Sequence, residues 1–381
     1  MTDLIVVSLE GWDQVWRRNQ HLVAGLLARD PALRVLFVEP PADPTHDLRS
    51  KRRPRRGAGL AEVEGVADGR LHRLQLTKWM PRRLDPRADD RLVRGILIGA
   101  DRLGMRHPLL WINDPGMAVL AERTGWPTLY DITDDWLAAD RPAAELERIT
   151  ASEASLMRLA RVVVVCSPEL VRRKQAVREV TLVPNAVDTA AYRRPALRPS
   201  DLPEGAVALY LGTLHRDRLD VDLCAATARA IGARGSLVLV GPNALTPTEE
   251  EQLRHAGVRL LGPRPRDEVI GYLQHADVLV VPHVVTAFTE SLDPLKLYEY
   301  QAVGRPVVTT AVAGFRDAGD ARITVASRGY FPEAVAASLP ARWHFPDRID
   351  ARVADWSERV DAMAGALERL RGGEDPHGPA R

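Results

Sequence analysis

Short apolar runs alternate with longer amphipathic stretches along most of the chain. In the first half, the runs of strand length are 4–9, 34–38, 109–112, 128–132, 162–166 and 181–183. The pattern restarts near residue 206, with predicted strands at 206–211, 236–240, 258–261, 278–281 and 306–309. The stretches between them carry apolar residues at helical spacing. Strands that alternate with helices are typical of a parallel, doubly wound sheet, so the pattern predicts two α/β domains.

The predicted helices fill the gaps between these strands. They are 13–28, 87–104, 116–123, 144–160, 168–177, 218–232, 247–256, 266–275 and 294–303. A stretch rich in proline and arginine follows residue 184 and predicts the boundary between the halves. We expect an N-terminal domain at 1–184 and a C-terminal domain at 185–345, which face each other across a cleft. Segment 346–381 is expected to return toward the N-terminal domain as a helix, 351–371, and to end in a frayed tail.

Composition excludes several classes of protein. The 381 residues carry 52 Lys+Arg and 51 Asp+Glu, which argues against a dedicated nucleic-acid binder. The longest apolar runs are far shorter than the ~18 residues of a membrane span, and the first residues lack the pattern of a secretory signal. Cys166 and Cys224 are too far apart for a disulfide scaffold or a cysteine-only zinc site. We therefore expect a cytoplasmic protein.

Common cofactor and metal motifs are missing from the sequence. The first predicted strand is not followed by GxGxxG, and GxxxxGK[ST], HExxH and GxSxG do not occur. Asp220 and Asp222 form a DxD pair, as in metal-dependent sugar transferases. They lie at a predicted helix start, where acidic residues also favour the helix dipole. We expect no metal site and no cofactor.

The most informative loop follows the predicted strand 278–281. Ligands of doubly wound sheets bind beyond the carboxyl ends of the strands. Asp293 is a suitable N-cap and Pro294 a suitable first residue of a helix, whose free amides would bind phosphate. Lys296 adds a positive charge in the first turn, and Glu299 is placed to accept bonds from a ribose diol. Alternatively, Lys296 and Glu299 form an ordinary i,i+3 surface pair.

The sequence EYQAVGRPVV at 299–308 resembles the signature of glycosyltransferase family four, which has the GT-B fold. The form of segment 294–300 is more similar to a subgroup that acts in teichuronic-acid synthesis. The resemblance implies that Glu299 holds the nucleotide ribose, and that the backbone at Asp293, Pro294 and Leu295 holds the donor diphosphate. The family has another glutamate eight residues before Glu299, where this chain has Ser291.

Other segments extend the resemblance over nearly the whole chain. Segment 209–220 is similar to the family's first strand and loop of the donor domain, with Gly212 in its turn. The family's basic diphosphate ligand falls at Arg218, and Thr213 replaces a second arginine whose charge Lys296 would supply. Segment 183–188 matches an interdomain motif, and 258–264, which ends at the donor-binding candidate Arg264, matches the loop that frames the base, usually through backbone groups. The alternatives are a solvated arginine at 218 and an ordinary turn at 264.

The N-terminal half is expected to bind the acceptor. Trp12 follows the first strand and would stack on a sugar, next to Asp13, and Arg17 or Arg18 would meet an acceptor phosphate. We expect Trp16 to pack in the core instead, and Arg17 is alternatively a helix-surface charge. A second acidic loop carries Asp131 and Asp134, which would converge through a tight turn. A helix N-cap is the alternative role for Asp134 or Asp135.

The resemblance implies a retaining glycosyltransferase that moves a sugar from a nucleotide diphosphate sugar to a hydroxyl acceptor without a metal. Arg218 and Lys296 would stabilise the leaving diphosphate, and Asp134 would orient the acceptor. The subgroup suggests cell-envelope polysaccharide or glycolipid as the product. The alternatives are a catalytically inactive partner subunit and another GT-B enzyme, such as a nucleotide-sugar epimerase.

Two further segments stand out by their composition. Segment 49–56 holds six cations in eight residues, and segment 79–84 mixes apolar and basic residues. The basic segment predicts peripheral contact with an anionic membrane and a location at its inner face. A solvated loop is the alternative interpretation. No nucleic-acid partner is expected.

Overall fold

A computed structural model describes residues 2–14, 16–50, 52–82, 84–339 and 353–372. The chain packs into two units, one formed by Met1–Pro184 with the segment from Ser357 onward, and one formed by Asn185–Trp356. The boundary predicted at 345 lies outside the described residues, as does the tail predicted to follow residue 371 from residue 373 onward. In the described ranges, no helix is long and apolar enough to cross a membrane.

The first unit contains an eight-stranded sheet. Its strands are β1 (Thr2–Val7), β2 (Leu33–Val38), β3 (Gly59–Glu62), β4 (Leu71–Gln75), β5 (Leu109–Ile112), β6 (Thr128–Ile132), β7 (Val162–Val165) and β8 (Thr181–Leu182). Their order is β3-β4-β2-β1-β5-β6-β7-β8, and all neighbours are parallel except β3 and β4. The central strands consist mostly of buried apolar residues, as expected for a sheet covered by helices on both faces.

Six helices complete the main body of this unit. They are α1 (Arg18–Arg29), α2 (Pro44–Arg49), α3 (Ala88–Arg102), α4 (Ala118–Thr124), α5 (Ala143–Leu159) and α6 (Pro168–Lys174), with 3-10 turns at Pro115–Met117 and Trp136–Ala138. Helix α1 begins five residues later than predicted. The preceding loop is fixed by Gln20, whose side-chain amide donates to the carbonyl of Asp13 and whose side-chain oxygen accepts from the backbone N–H of Arg17.

The second unit contains a six-stranded, fully parallel sheet. Its strands are β9 (Ala206–Leu211), β10 (Gly235–Val240), β11 (Arg259–Gly262), β12 (Val278–Val281), β13 (Val307–Thr309) and β14 (Ile323–Val325). Its helices are α7 (Thr189–Arg193), α8 (Val221–Ile231), α9 (Pro247–His255), α10 (Arg266–His275), α11 (Leu295–Val303) and α12 (Phe331–Ser338), with 3-10 turns at Gly232–Arg234 and Thr289–Ser291. The strand order is β11-β10-β9-β12-β13-β14, so successive strands are added on one side of β9 as far as β11 and on its other side from β12 onward. The switch point therefore lies between β9 and β12. Such a switch point is where doubly wound sheets bind ligands.

The predicted fold class, two doubly wound α/β domains, is confirmed. Six strands and helices were not predicted from the sequence, namely β3, β4, β14, α2, α7 and α12. The three strands lie at or next to sheet edges, where residues are only partly buried and the apolar pattern is weak.

The last helix, α13 (Trp356–Gly372), packs against α1 in the first unit. Gly25 of α1 leaves room for Val360 of α13, since a Cβ at residue 25 would collide with the Val360 side chain. Arg29 and Asp361 form a salt bridge at the same contact, and Arg369 donates to the hydroxyl of Thr181 at 3.0 Å. The C-terminal helix is therefore an integral layer of the N-terminal unit.

We predict that Gly25→Ala destabilises the protein, although alanine is the better helix former. The added methyl group overpacks the contact with Val360, and overpacking costs about 1–3 kcal/mol. The measurement is the midpoint of urea unfolding. In a Val360→Ala background the same change should be neutral or stabilising, because the colliding methyl groups are gone. An equal loss of stability in both backgrounds would contradict the packing argument.

Candidate functional site

Two loops meet at the switch point of the second unit, one after β9 and one after β12. Leu219 and His283 pair as an antiparallel bridge between them. The backbone N–H of Val284 also donates to the carbonyl of Arg218, at 2.8 Å. These contacts hold Arg218 beside the loop that leads into α11.

The side chain of Lys296, from the first turn of α11, lies directly over Gly212. Gly212 has φ +144°, and a Cβ at this position would lie 2.5 Å from Nζ of Lys296. The ammonium group also lies 4.9 Å from the centre of the Tyr210 ring, within the range of a cation–π interaction. Glycine is therefore required at residue 212 for a reason other than the turn, because any side chain at this position would displace the Lys296 side chain.

Tyr210 is fully buried at the end of β9 and contacts His283 through its hydroxyl group. The hydroxyl oxygen lies 3.1 Å from Nε2 of His283. Burial, together with the charges of Lys296 and Arg218, holds the pKa of His283 well below its ordinary value. His283 is therefore neutral at pH 7 and adds no third positive charge to the cluster.

Burial also changes the acidity of Lys296. Desolvation, and secondarily the charge of Arg218, lower the pKa of Lys296 to about 8, while Glu299 partly opposes the shift. The guanidinium of Arg218 lies 5.6 Å from the centre of the Phe288 ring. A buried lysine whose charge is disfavoured by a neighbouring arginine forms, with that arginine, an arrangement that an anion would stabilise.

The start of α11 differs from the prediction by one residue. The helix begins at Leu295 with Pro294 as its N-cap, so the prediction of Asp293 as N-cap was wrong. The carboxylate of Asp293 instead accepts from the backbone N–H of Asn185 and from the hydroxyl of Tyr298. The side-chain amide of Asn185 donates to the carbonyl of Asp293, so the 183–188 motif fixes the entry to the helix.

Glu299 lies one turn further along α11 and has a partner that the sequence did not suggest. The hydroxyl of Tyr192 donates to Oε1 of Glu299 at 2.7 Å. Tyr192 is carried by the short helix α7, whose N-cap Asp188 accepts from the backbone N–H of Ala191 at 3.0 Å. Lys296 and Glu299 thus contact different surroundings, Tyr210 and Tyr192 respectively. The contact of Tyr192 with Glu299 could not be predicted from the sequence, because a five-residue helix is too short to show a periodic pattern.

Ser291 and Glu290 lie in the 3-10 turn before α11. Ser291, at the position of the family's other glutamate, is fully buried and donates to the carbonyl of Phe288 at 2.7 Å. Glu290 forms two hydrogen bonds with the guanidinium of Arg316, at 3.1 and 3.0 Å. Thr213 is exposed in the turn after Gly212. Their contacts with a donor stay a prediction.

Arg264 lies beyond the end of β11 and has partners within the second unit. Its Nε donates to the hydroxyl of Tyr272 at 2.8 Å, and the guanidinium pairs with Asp201. A contact between its side chain and a nucleotide base stays a prediction, and it would have to coexist with both partners.

The DxD carboxylates have separate partners. Asp220 caps α8 by accepting from the N–H of Leu223 at 2.9 Å, and it pairs with Arg328. Asp222 accepts from the side-chain amide of Gln252 at 2.7 Å. Over the ranges that the structure covers, no group of three His, Cys, Asp or Glu side chains is suited to a metal ion.

In the first unit, both tryptophans after β1 pack against other side chains, and Trp12 is the more deeply buried of the two. Trp12 is only 9% exposed and packs edge-on against Phe37, with ring centres 5.0 Å apart. Trp16 is half-buried and packs against His21. Burial leaves little of the Trp12 face for a sugar, because the core of the unit already contacts it.

Arg17 and Asp13 stand at the more open side of this loop. Their side chains lie 3.5 Å apart, and Arg17 also lies 3.9 Å from Glu10. The neighbouring Arg18 is buried and forms a fork with both oxygens of Asp131, at 3.3 Å each. Arg17 is therefore the member of the pair that remains near the surface.

Asp131 and Asp134 have different environments. Asp131 is fully buried in its pair with Arg18, whereas Asp134 is half-buried and accepts from the hydroxyl of Thr133 at 3.4 Å. Asp135 precedes the 3-10 turn at Trp136–Ala138, but its side chain pairs with Lys174 and Arg173 instead of capping the turn. Asp134 is thus the more accessible carboxylate of the loop.

The comparisons with known proteins agree with this architecture. Residues 205–341 match the family described as "Glycosyl transferases group 1". The chain is 24% identical over 326 residues to a protein of Bacillus subtilis (strain 168) named as a teichuronic acid biosynthesis glycosyltransferase, TuaH, with 80% of each chain covered.

Solved structures share the fold at low sequence identity. Sucrose-phosphate synthase from Thermosynechococcus elongatus aligns with a TM-score of 0.63 at 16% identity, covering 97% of this chain and 98% of that one. Anabaena Alr3699/HepE in complex with UDP-glucose aligns with a TM-score of 0.61 at 13% identity, covering 97% and 96%. Residues 205–341 of the second unit are therefore similar to the group 1 glycosyltransferases, and the chain as a whole has the GT-B fold of these solved structures.

Proposed function

We propose that the protein transfers a sugar from a nucleotide diphosphate sugar to a hydroxyl acceptor, with retention of configuration and without a metal ion. The observation that carries this proposal is the position of Lys296, seated on Tyr210 over Gly212 at the switch point. A half-buried ammonium beside Arg218 and the start of a helix is suited to a diphosphate.

The proposed chemistry is electrostatic. As the glycosidic bond breaks, negative charge grows on the leaving diphosphate, and Lys296 and Arg218 stabilise it. Asp134 orients the acceptor hydroxyl, and the leaving phosphate takes its proton, so a separate side-chain base is not required. Fixed cations take the place that a divalent ion has in other transferases.

The comparisons support the donor class and suggest the product. The HepE structure holds UDP-glucose, which supports a nucleotide sugar as the donor of this chain. The name of the B. subtilis relative supports a role in cell-envelope polysaccharide synthesis. We place the reaction in the cytoplasm, at the inner face of the membrane.

Glu299→Ala is predicted to weaken nucleotide binding tenfold or more, because charge-assisted hydrogen bonds to the ribose are worth about 1.5–3 kcal/mol each. Tyr192→Phe should have a smaller effect, since it removes only the bond that orients the carboxylate. The measurement is a thermal-shift series with UDP, GDP, dTDP and ADP.

Glu368→Ala, on the exposed side of α13, is the matched control and should bind like the wild type. Unchanged affinity in a folded Glu299→Ala protein would refute the ribose assignment. If no nucleotide stabilises even the wild-type protein, the inactive-subunit alternative gains support.

The depressed pKa of Lys296 predicts a pH dependence. The charge is present below pH about 8, so its burial destabilises the fold there, and this cost disappears as pH rises toward the ordinary value of 10.5. Lys296→Met should therefore raise the melting temperature at pH 7 and lose most of the turnover. Nucleotide affinity of the wild type should fall as pH rises through about 8, because binding then requires proton uptake.

The control for this dependence is Lys296→Arg, whose charge persists throughout the range. Its affinity should not fall over the same pH interval. Calorimetry in buffers of different ionisation enthalpy measures the proton uptake directly. An identical pH profile for the wild type and the Met variant would exclude Lys296 as the diphosphate ligand.

We predict that turnover, measured as release of nucleoside diphosphate in the presence of acceptor, survives EDTA. The reason is that Lys296 and Arg218 already supply the positive charge. Asp220→Asn should likewise keep its activity, because the asparagine oxygen can still cap α8 and only the ion pair with Arg328 is lost. Activity that EDTA abolishes and magnesium restores would instead favour the Asp220 and Asp222 pair as a metal site.

A further inference from the structure

The structure brings together the two segments that stand out by composition. Together they form one surface of the first unit, which we term the basic–aromatic surface. Its described members are the exposed residues Leu48, Arg52, Arg53, Arg55, Arg56, Trp79, Met80 and Leu84. Segments 49–56 and 79–84 are separated in sequence by two strands, so their contact is a property of the fold.

Direct contacts join the two segments. The guanidinium of Arg56 lies 5.0 Å from the centre of the Trp79 ring. The backbone N–H of Gly57 donates to the hydroxyl of Thr77 at 2.9 Å. Lys78 donates from its backbone to the carbonyl of Ala42 at 2.8 Å and pairs through its ammonium with Asp43, the N-cap of α2. The basic segment, the tryptophan loop and α2 are thus one connected structure.

The apolar members of the surface are unusually open. Trp79 is 53% exposed, Met80 45%, Leu84 59% and Leu48 61%. Single exposed apolar residues are common, but grouped ones mark an interaction site. The cations around them exceed their local counter-charge, since Asp47 is the carboxylate that Arg52 and Arg55 contact, while segment 49–56 carries six positive charges.

The basic–aromatic surface lies at the carboxyl edge of the sheet. Gly59 at the start of β3 pairs with Gln75 at the end of β4, and α2 follows the end of β2. The loop with Asp134 follows β6, which runs parallel to its neighbours, so it ends at the same edge. A partner bound to the surface would therefore lie along the same edge of the sheet as the carboxylate that we propose to orient the acceptor, with β2, β1 and β5 between β4 and β6.

We infer that the basic–aromatic surface binds an anionic lipid bilayer. Tryptophan prefers the headgroup level of a membrane, and arginine next to it attracts anionic lipids. Leu48, Met80 and Leu84 supply aliphatic groups that can enter the interface. Aliphatic groups give no stacking platform for nucleic-acid bases, which argues for lipid over a single-stranded nucleic acid.

The inference extends the proposed function, on which its link to the acceptor rests. An acceptor anchored in the bilayer by a lipid would be delivered at the edge of the sheet that carries Asp134. Attachment would then raise transfer to a lipid-linked acceptor relative to a soluble one, because the search is confined to the membrane surface. Lipid binding itself does not depend on that activity.

The test is sedimentation of the full-length protein with vesicles of phosphatidylcholine, with or without phosphatidylglycerol. The wild type should sediment with the anionic vesicles and be released by salt. The triple variant R53Q/R55Q/R56Q should lose more than about tenfold in partitioning, since each cation near an anionic surface contributes roughly fivefold. Trp79→Ala should weaken binding as well, with less dependence on salt.

The matched control is R94Q/R102Q/R106Q, which removes three exposed cations from α3 and the loop that precedes β5, outside the segments that form the basic–aromatic surface. Equal sedimentation of the two triple variants would overturn the inference, as would equal binding of the wild type to neutral and anionic vesicles. Binding to single-stranded nucleic acid without binding to vesicles would also overturn the inference.

Nucleotide thermal shifts of the same variants separate this inference from the proposed function. The surface belongs to the first unit and the nucleotide site to the second, so the variants should bind nucleotide like the wild type. Vesicle binding without any nucleotide binding would support the membrane inference and contradict the transferase proposal. Nucleotide binding without vesicle binding would contradict the membrane inference and support the transferase proposal.

Discussion

A charge that is buried away from water needs a compensating interaction. In the second unit, the aromatic ring of Tyr210 provides it for the ammonium of Lys296. Several features depend on that contact. Residue 212 must be glycine to leave space, the ring of Tyr210 must lie beneath the lysine, and His283 must stay neutral. The compensation is incomplete, as the lowered pKa of Lys296 shows. The unit therefore retains a positive field that is organised before any ligand arrives.

In the first unit, buried charges are paired with charges of opposite sign. Arg18 and Asp131 neutralise each other, and Lys174 lies between the carboxylates of Asp135 and Glu153. Paired charges of this kind fix the positions of loops, but they offer little unbalanced field to a ligand. The polar group that stays accessible in the acidic loop is Asp134. The two units thus share an architecture while differing in how their electrostatics are used.

The sequence predicted those features that depend on the residues of a single strand, helix or loop. Strands such as β6 and β12 were predicted at their observed bounds, because they are uninterrupted buried runs, whereas β3 and β14 carry too few buried residues to show a pattern. The loops that follow the strands pointed to Arg218 and Lys296. Tyr192 was missed because its bond to Glu299 joins residues 107 apart, and no periodicity reports such a contact.

The packing of α13 on α1 has a consequence for the order in which the protein matures on the ribosome. The second unit is continuous in sequence and can fold as soon as it has emerged, whereas the first unit lacks a layer until the last helix has been made. The half that is synthesised first is thus completed last. A premature stop near the C-terminus would injure the N-terminal unit, and newly made chains would expose the vacant face of α1 for most of their synthesis.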